Sequence, residues 1–198
     1  MIAPHGGRLV DRTVSDRKRE RLLNEASELP SIQIDQPLVK DLQNIADGRY
    51  SPLTGFLNQN NFRKVVRDKT LEDGTVWTVP ITLDIDDDKA EELEEGEQAA
   101  IQGPGGNALA VIDVEQIYSY DKQQTVRHLY GTDDTDHPGV AMYLDKGDHL
   151  VGGDIQLLQR GFTQFQDYDL APAETRVLFR EKGWDTVVGF QTRNAPHR

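Results

Sequence analysis

The sequence predicts an α+β, mainly β fold: a barrel-type antiparallel β domain with flanking helices over residues 1–168, then the first helix and strand of an α/β domain over residues 169–198. Three observations lead there. Between Thr75 and Leu158 short apolar runs alternate with turns that contain Gly and Pro, the texture of antiparallel strands. Helical apolar spacing appears only in short stretches, mostly before residue 70. After Phe165 the pattern changes to a helix, an apolar run and a polar loop.

Ser15–Leu29 (SDRKRERLLNEASEL) is expected to be helical, with Ser15 as N-cap and Leu22, Leu23, Ala26 and Leu29 at helical spacing; Pro30 stops it. Ser31–Ile34 alternates as a short strand does. Lys40–Ala46 reads as a short helix before a turn at Gly48–Tyr50, and Asn60–Arg67 as another. Val76–Ile85 (VWTVPITLDI), Ala99–Ile101 and Ala108–Tyr120 (ALAVIDVEQIYSY) are the β-rich pieces. The Gly-Pro-Gly-Gly run at Gly103–Gly106 has no Lys-Ser/Thr pair after it and is flanked by strand texture, so it reads as a hairpin turn and not as a phosphate loop. Val126–Tyr130 is expected to be helical, and Asp145–Leu158 returns to strand character with a bend at Gly152-Gly153. Ala171–Lys182 predicts a helix with Pro172 in its first turn, Glu174 near its start, apolar Val177, Leu178 and Phe179, basic residues towards its end and Gly183 as the cap. Trp184–Gln191 (WDTVVGFQ) is then expected to be a buried strand. Residues 192–198 form a loop at its carboxyl end, where open α/β sheets place their ligands.

The 198 residues suffice for one sizeable core, or one domain and the first elements of another. Lys and Arg number 22 against 34 Asp and Glu, a net charge of −12 that opposes nucleic-acid phosphates and anionic membrane surfaces as partners. Nine acids and one Lys crowd Asp84–Glu97 (DIDDDKAEELEEGE), which reads as a solvated loop or an exposed short helix. Without cysteine there is no disulfide framework, thiolate nucleophile or Cys-ligated zinc. The N-terminal residues carry no apolar core of a signal peptide, and no run of roughly 18 apolar residues exists to span a bilayer, so a cytoplasmic location is expected.

The chemistry concentrates at the end. Gln191-Thr192-Arg193-Asn194-Ala195-Pro196-His197-Arg198 packs two guanidinium groups, an imidazole, two amides and a hydroxyl into eight residues. Such donors suit tetrahedral oxyanions, because Arg offers a planar fork to two oxygens at once and the amides and hydroxyl add directional bonds. An imidazole beside them can donate to a phosphate oxygen as negative charge builds during transfer. On composition alone a polar surface tail is an equal alternative.

The segment resembles the QTRNxxHxxH motif of the ATP sulfurylase (sulfate adenylyltransferase) family, in the wider class of nucleotidyltransferases with an HxxH or HxGH pair. Other segments agree in order: Pro4-His5-Gly6-Gly7 with Leu9-Val10, Arg49-Tyr50-Ser51-Pro52-Leu53 with Gly55-Phe56, and Pro80-Ile81-Thr82-Leu83-Asp84. His137-Pro138-Gly139-Val140, Gly152-Gly153, Glu174-Thr175-Arg176, Phe179 and Gly183-Trp184 follow. The resemblance implies a PUA-like N-terminal domain and the beginning of a Rossmann-like catalytic domain. It implies that sulfate attacks the α-phosphate of ATP to give adenosine 5′-phosphosulfate and pyrophosphate. Gln191 and Arg193 would hold sulfate, and Thr192, Arg193 and Asn194 would surround the α-phosphate. His197 would stabilise the transition state, so that Gln191, Thr192, Arg193, Asn194 and His197 together would bind ATP. No tightly bound cofactor is expected; Mg²⁺ travels with ATP, and the parent protein is expected to be a homo-oligomer. The second histidine of the pair would fall beyond Arg198, so the chain is expected to be an inactive piece of the enzyme. The alternative is a non-catalytic PUA-like binding or assembly module, against which, for RNA, the charge of −12 stands.

His5, His128, His137 and His149 lack ligand-like spacing, and Asp133, Asp134 and Asp136 lack the order of an EF-hand loop, so hydrogen-bonding and turn roles are expected of them. Ser51 and Thr54 flank Pro52 with no base tied to them and read as turn and capping groups. The Arg49–Phe56 segment is expected to pack between domains.

Overall fold

A strand covered on both faces is apolar without alternation. β5 (Ala108–Ser119) shows this at residues 109–112, Leu-Ala-Val-Ile, all four of them buried. The computed structural model describes residues 3–160 and 168–192. In it β5 pairs antiparallel with β4 (Gln98–Gln102) on one side and β6 (His149–Leu157) on the other. β4 and β5 are joined by the hairpin expected at Gly103–Gly106, where Gly103 N–H donates to Asn107 O (3.1 Å) and Gly106 takes φ +74°. β1 (Ser31–Gln33) lies parallel to β4, and β2 (Gly55–Phe56) and β3 (Leu83–Ile85) both lie antiparallel to β6.

The result is a mixed, open sheet and not the antiparallel barrel expected from the sequence: the path runs β1-β4-β5-β6-β2, and one of its pairs is parallel. The reason lies along the outer edge of β6. That edge is tiled by three short pieces: β3 at residues 149–151, β2 at 153–154, and a bridge from Thr13 to Leu157. None is long enough to carry the ladder around to β1.

One face of the sheet carries the main core, where Ala110, Ile112 and Val114 of β5 meet Leu150, Val151 and Ile155 of β6. α2 (Gln36–Ala46) and α3 (Gln59–Asp68) close it with Val39, Leu42 and Ile45, and with Phe62, Val65 and Val66. The other face is covered by α1 (Asp16–Ala26), whose Leu22 and Ala26 pack on Ala100, Val111 and Leu158. This two-sided cover is why β5 does not alternate. α5 (Lys122–Tyr130) and α6 (Pro138–Leu144) form a side cluster around Val126, Val140 and Tyr143.

Several elements differ from expectation. Of Val76–Ile85 only β3 is a strand; Pro80 has no N–H to give a ladder, and Val76 and Val79 stand exposed. α2 begins a turn earlier than read, capped by Asp35, whose carboxylate accepts Leu38 N–H at 2.9 Å. α5 begins early in the same way, capped by Asp121. α6 has no counterpart among the elements expected from the sequence. The acidic run contains α4 (Asp87–Glu92), a short helix capped by Asp86 with no buried residue, one of the two forms expected of it.

Candidate functional site

The segment carrying the predicted site begins with α7 (Pro172–Glu181), which matches the helix expected there. Pro172 loses no hydrogen bond in the first turn, and the Glu174 carboxylate accepts Ala171 N–H at 2.7 Å. The helix ends in a paired turn: Gly183 N–H donates to Arg180 O (3.1 Å) and Trp184 N–H to Phe179 O (2.9 Å). Gly183 sits at φ +66°, where a side chain would be strained, and the rings of Phe179 and Trp184 lie 6.1 Å apart across the turn. Lys182 Nζ stands 5.5 Å from the centre of the Trp184 ring.

Beyond the turn, residues 184–192 form no strand, contrary to expectation, and are exposed throughout; Val188 and Phe190 are each 91% exposed. A central strand exists only through the strands beside it, and among the described residues none pairs with this run. Gln191 and Thr192, the first two predicted site residues, lie at its exposed end. Arg193, Asn194 and His197 lie outside the described residues.

Arg49 reaches this segment from the other part of the chain. Its Nη2 donates to Asp169 Oδ1 (2.6 Å) and to Leu170 O (3.0 Å), while Nη1 donates to Asp47 Oδ2 (2.6 Å). Burial holds the Asp47 carboxyl above the usual carboxylate range, and the Arg49 charge opposes that shift. The sequence reading singled out the Arg49–Phe56 segment but not this contact, whose partners are 120 residues apart. No local pattern signals it.

The remaining candidates have structural partners. Ser51 Oγ donates to Gly48 O (2.7 Å) and accepts Val10 N–H (3.0 Å), and the Thr54 hydroxyl bonds Asp154. His5 Nε2 meets Val76 O, His128 Nδ1 meets Gln124 O, and His149 Nε2 meets Asp87. His137 caps α6, its Nδ1 accepting Gly139 N–H (3.1 Å) and Val140 N–H (3.3 Å). Asp133 pairs with Arg127, and Asp134 closes a turn on Asp136 N–H. Tyr118 and Tyr120 are pushed well above the ordinary phenol range by burial, so they act as neutral donors, to Leu57 O (2.7 Å) and Gly147 O (3.0 Å). A cleft of about 280 Å³ beside β2 is lined by Glu72, Asp73, Glu115 and Asp154, charges that repel a phosphate or sulfate.

The mixed sheet and the donor-rich segment after α7 define a two-part class of chain, a sheet domain followed by an oxyanion-suited segment. Residues 2–160 match the family model of the PUA-like domain, and residues 166–198 match that of ATP-sulfurylase. The chain belongs to the PUA-like domain family. It is 46% identical over 197 residues to a sulfate adenylyltransferase of Symbiobacterium thermophilum, covering 100% of this chain and 50% of that protein. Against a sulfate adenylyltransferase of Thermococcus onnurineus the identity is 47% over 194 residues, 98% of this chain and 50% of the relative. The chain thus spans about half the length of the curated relatives it matches. Among solved structures it is similar to a hexameric APS kinase from Thiobacillus denitrificans, with TM-score 0.71 and 29% identity over 93% of this chain and 32% of that one. Among the described residues no helix is long and apolar enough to cross a membrane.

Proposed function

We propose that this chain is the PUA-like domain and the opening of the catalytic domain of a sulfate adenylyltransferase. A sulfate oxygen attacks the α-phosphorus of ATP, the bond from that phosphorus to the bridging oxygen of the β-phosphate breaks, and pyrophosphate leaves with the electron pair, giving adenosine 5′-phosphosulfate. The observation that carries the reading is identity of 46% along the entire chain to a protein of that name, with Gln191-Thr192-Arg193-Asn194 and His197 in place.

In this reading α7 and residues 184–191 open a Rossmann-like domain, and the QTRN segment sits at the carboxyl end of its first strand once neighbouring strands are present. Gln191 and Arg193 hold sulfate; Thr192, Arg193 and Asn194 surround the α-phosphate; His197 donates to the phosphate oxygens as charge builds. Sulfate is a weak nucleophile, so the rate comes from positioning two anions and neutralising them. The set contains no carboxylate, which fits it to anions and leaves Mg²⁺ on the phosphates of ATP. The protein is cytoplasmic and homo-oligomeric in this proposal, the latter supported by the hexameric name of its structural neighbour.

The test is sulfate-dependent pyrophosphate release from MgATP by the protein that carries this chain. Arg193→Ala should lower that rate by about 10²–10³-fold with the fold intact. A variant with near-normal turnover would remove Arg193 from the role.

A further inference from the structure

Arg49 bridges two parts of the molecule at the place where they join. Asp47, its first partner, is the C-cap of α2 and has a side chain only 3% exposed, so one end of the bridge is anchored in the main core. Gly48 between them adopts φ +85°, and a Cβ there would stand 2.3 Å from Val10 O, so only glycine fits this turn. At the other end the guanidinium grips Asp169 and Leu170, the two residues ahead of Ala171, the N-cap of α7. Arg49 and Asp169 are each about two-thirds withdrawn from water, at 28% and 32% exposure. α7 itself buries no residue, so the polar contacts that hold it, the Arg49 grip among them, bear on its placement.

We propose that Arg49 is a positioning residue, a latch that fixes the direction of α7 and thereby of residues 184–192 relative to the PUA-like sheet. The planar fork is what the task requires: Nη1 donates to the anchored carboxylate, and Nη2 to a carboxylate and a carbonyl at once. A lysine ammonium cannot present that geometry. The latch concerns attachment, and it stands or falls separately from the adenylyl-transfer chemistry.

These 198 residues contain no cysteine, and with any cysteine elsewhere in the protein replaced by serine a pair of introduced cysteines carries the spin labels uniquely. With Glu91→Cys on α4 and Glu181→Cys at the end of α7, both exposed, the distance distribution between labels reports the placement of α7. With Arg49 present it should be a single narrow peak. Arg49→Ala should broaden it to about twice its width, as a segment released from one local contact samples more positions. Asp169→Asn, which leaves the Asp47–Arg49 pair intact and so does not endanger the fold, removes the charge and should broaden it in the same sense but less, because Arg49 still donates to Leu170 O. The double variant should be no broader than Arg49→Ala alone, because Asp169→Asn acts through the Arg49–Asp169 pair that Arg49→Ala already removes. An unchanged distribution in Asp169→Asn, or broadening that adds in the double variant, overturns the proposal.

Discussion

Replacing Gly55 with alanine tests whether the outer edge of β6 is assembled as tightly as its geometry requires. A Cβ at Gly55 would stand 1.8 Å from Gly153 O and 2.6 Å from Gly153 C, whereas ordinary contact begins at 3.4 Å. The obstruction is backbone of the neighbouring strand, so no side chain can rotate out of the way. β2 must separate from β6, at Gly55 opposite Asp154 and Phe56 opposite Gly153, and the bond from Ile155 N–H to Thr54 O (3.1 Å) lies beside the breach. Overpacking costs about 1–3 kcal/mol, and each net hydrogen bond lost adds about 1 kcal/mol, for a total of about 3 kcal/mol. With a urea slope of about 2 kcal/mol per molar, the midpoint should fall by about 1.5 M at unchanged slope. Gly74→Ala is the matched control: its Cβ meets nothing within 4 Å, and only the strain of φ +85° acts, worth about 1–2 kcal/mol. Unfolding followed by far-UV circular dichroism reads both. If Gly55→Ala falls no further than Gly74→Ala, the close approach of β2 to β6 is not a constraint and the account of the sheet edge is wrong.

The Asp41 carboxyl accepts the Tyr50 hydroxyl (3.0 Å) and is raised above its ordinary value of 3.8 by burial, a shift the Tyr50 bond opposes. The folded form therefore binds the proton more tightly than the unfolded one, and this site's contribution to stability is fully present below the unfolded value and lost as pH rises through the folded one. Asp41→Asn, which keeps the acceptor without the charge, should be at least as stable as the parent near neutral pH and lose any advantage at about pH 3. A urea midpoint lower for the variant at neutral pH would contradict this. His137→Ala should cost about 1 kcal/mol by removing the cap of α6, while His137→Asn retains most of it. Equal melting temperatures for the two variants would show that the imidazole does not cap.

Elements with an apolar stripe were legible: α1 from Leu22 and Ala26, α3 from Phe62, Val65 and Val66, and α7 from its Pro172 start to its Gly183 turn. Of the two helix starts placed too late, the one at Asp121 has a polar first turn, Lys122-Gln123-Gln124-Thr125, so hydrophobic spacing enters it late and the capping carboxylate marks it. The one at Asp35 carries Leu38 and Val39 in its first turn, and the Asp35 cap followed by Pro37 marks it. For the site, the same distinction between a residue's chemistry and its placement decides what could be read. Gln191-Thr192-Arg193-Asn194 declares donors for an oxyanion whatever its surroundings, since the number and type of N–H and O–H groups are properties of the side chains. Trp184–Gln191 is different. Its apolar run is what the interior of a parallel sheet needs, yet being a strand requires donors and acceptors from chains on both sides, and Val188 and Phe190 stand exposed where those are missing among the described residues. The apolar surface is a demand written into the segment, and its satisfaction belongs to residues elsewhere. Arg49 shows the converse, for nothing near Arg49 or Asp169 announces their contact, and the turn at Gly48 that aims the guanidinium acquires its purpose only when Asp169 arrives from 120 residues away.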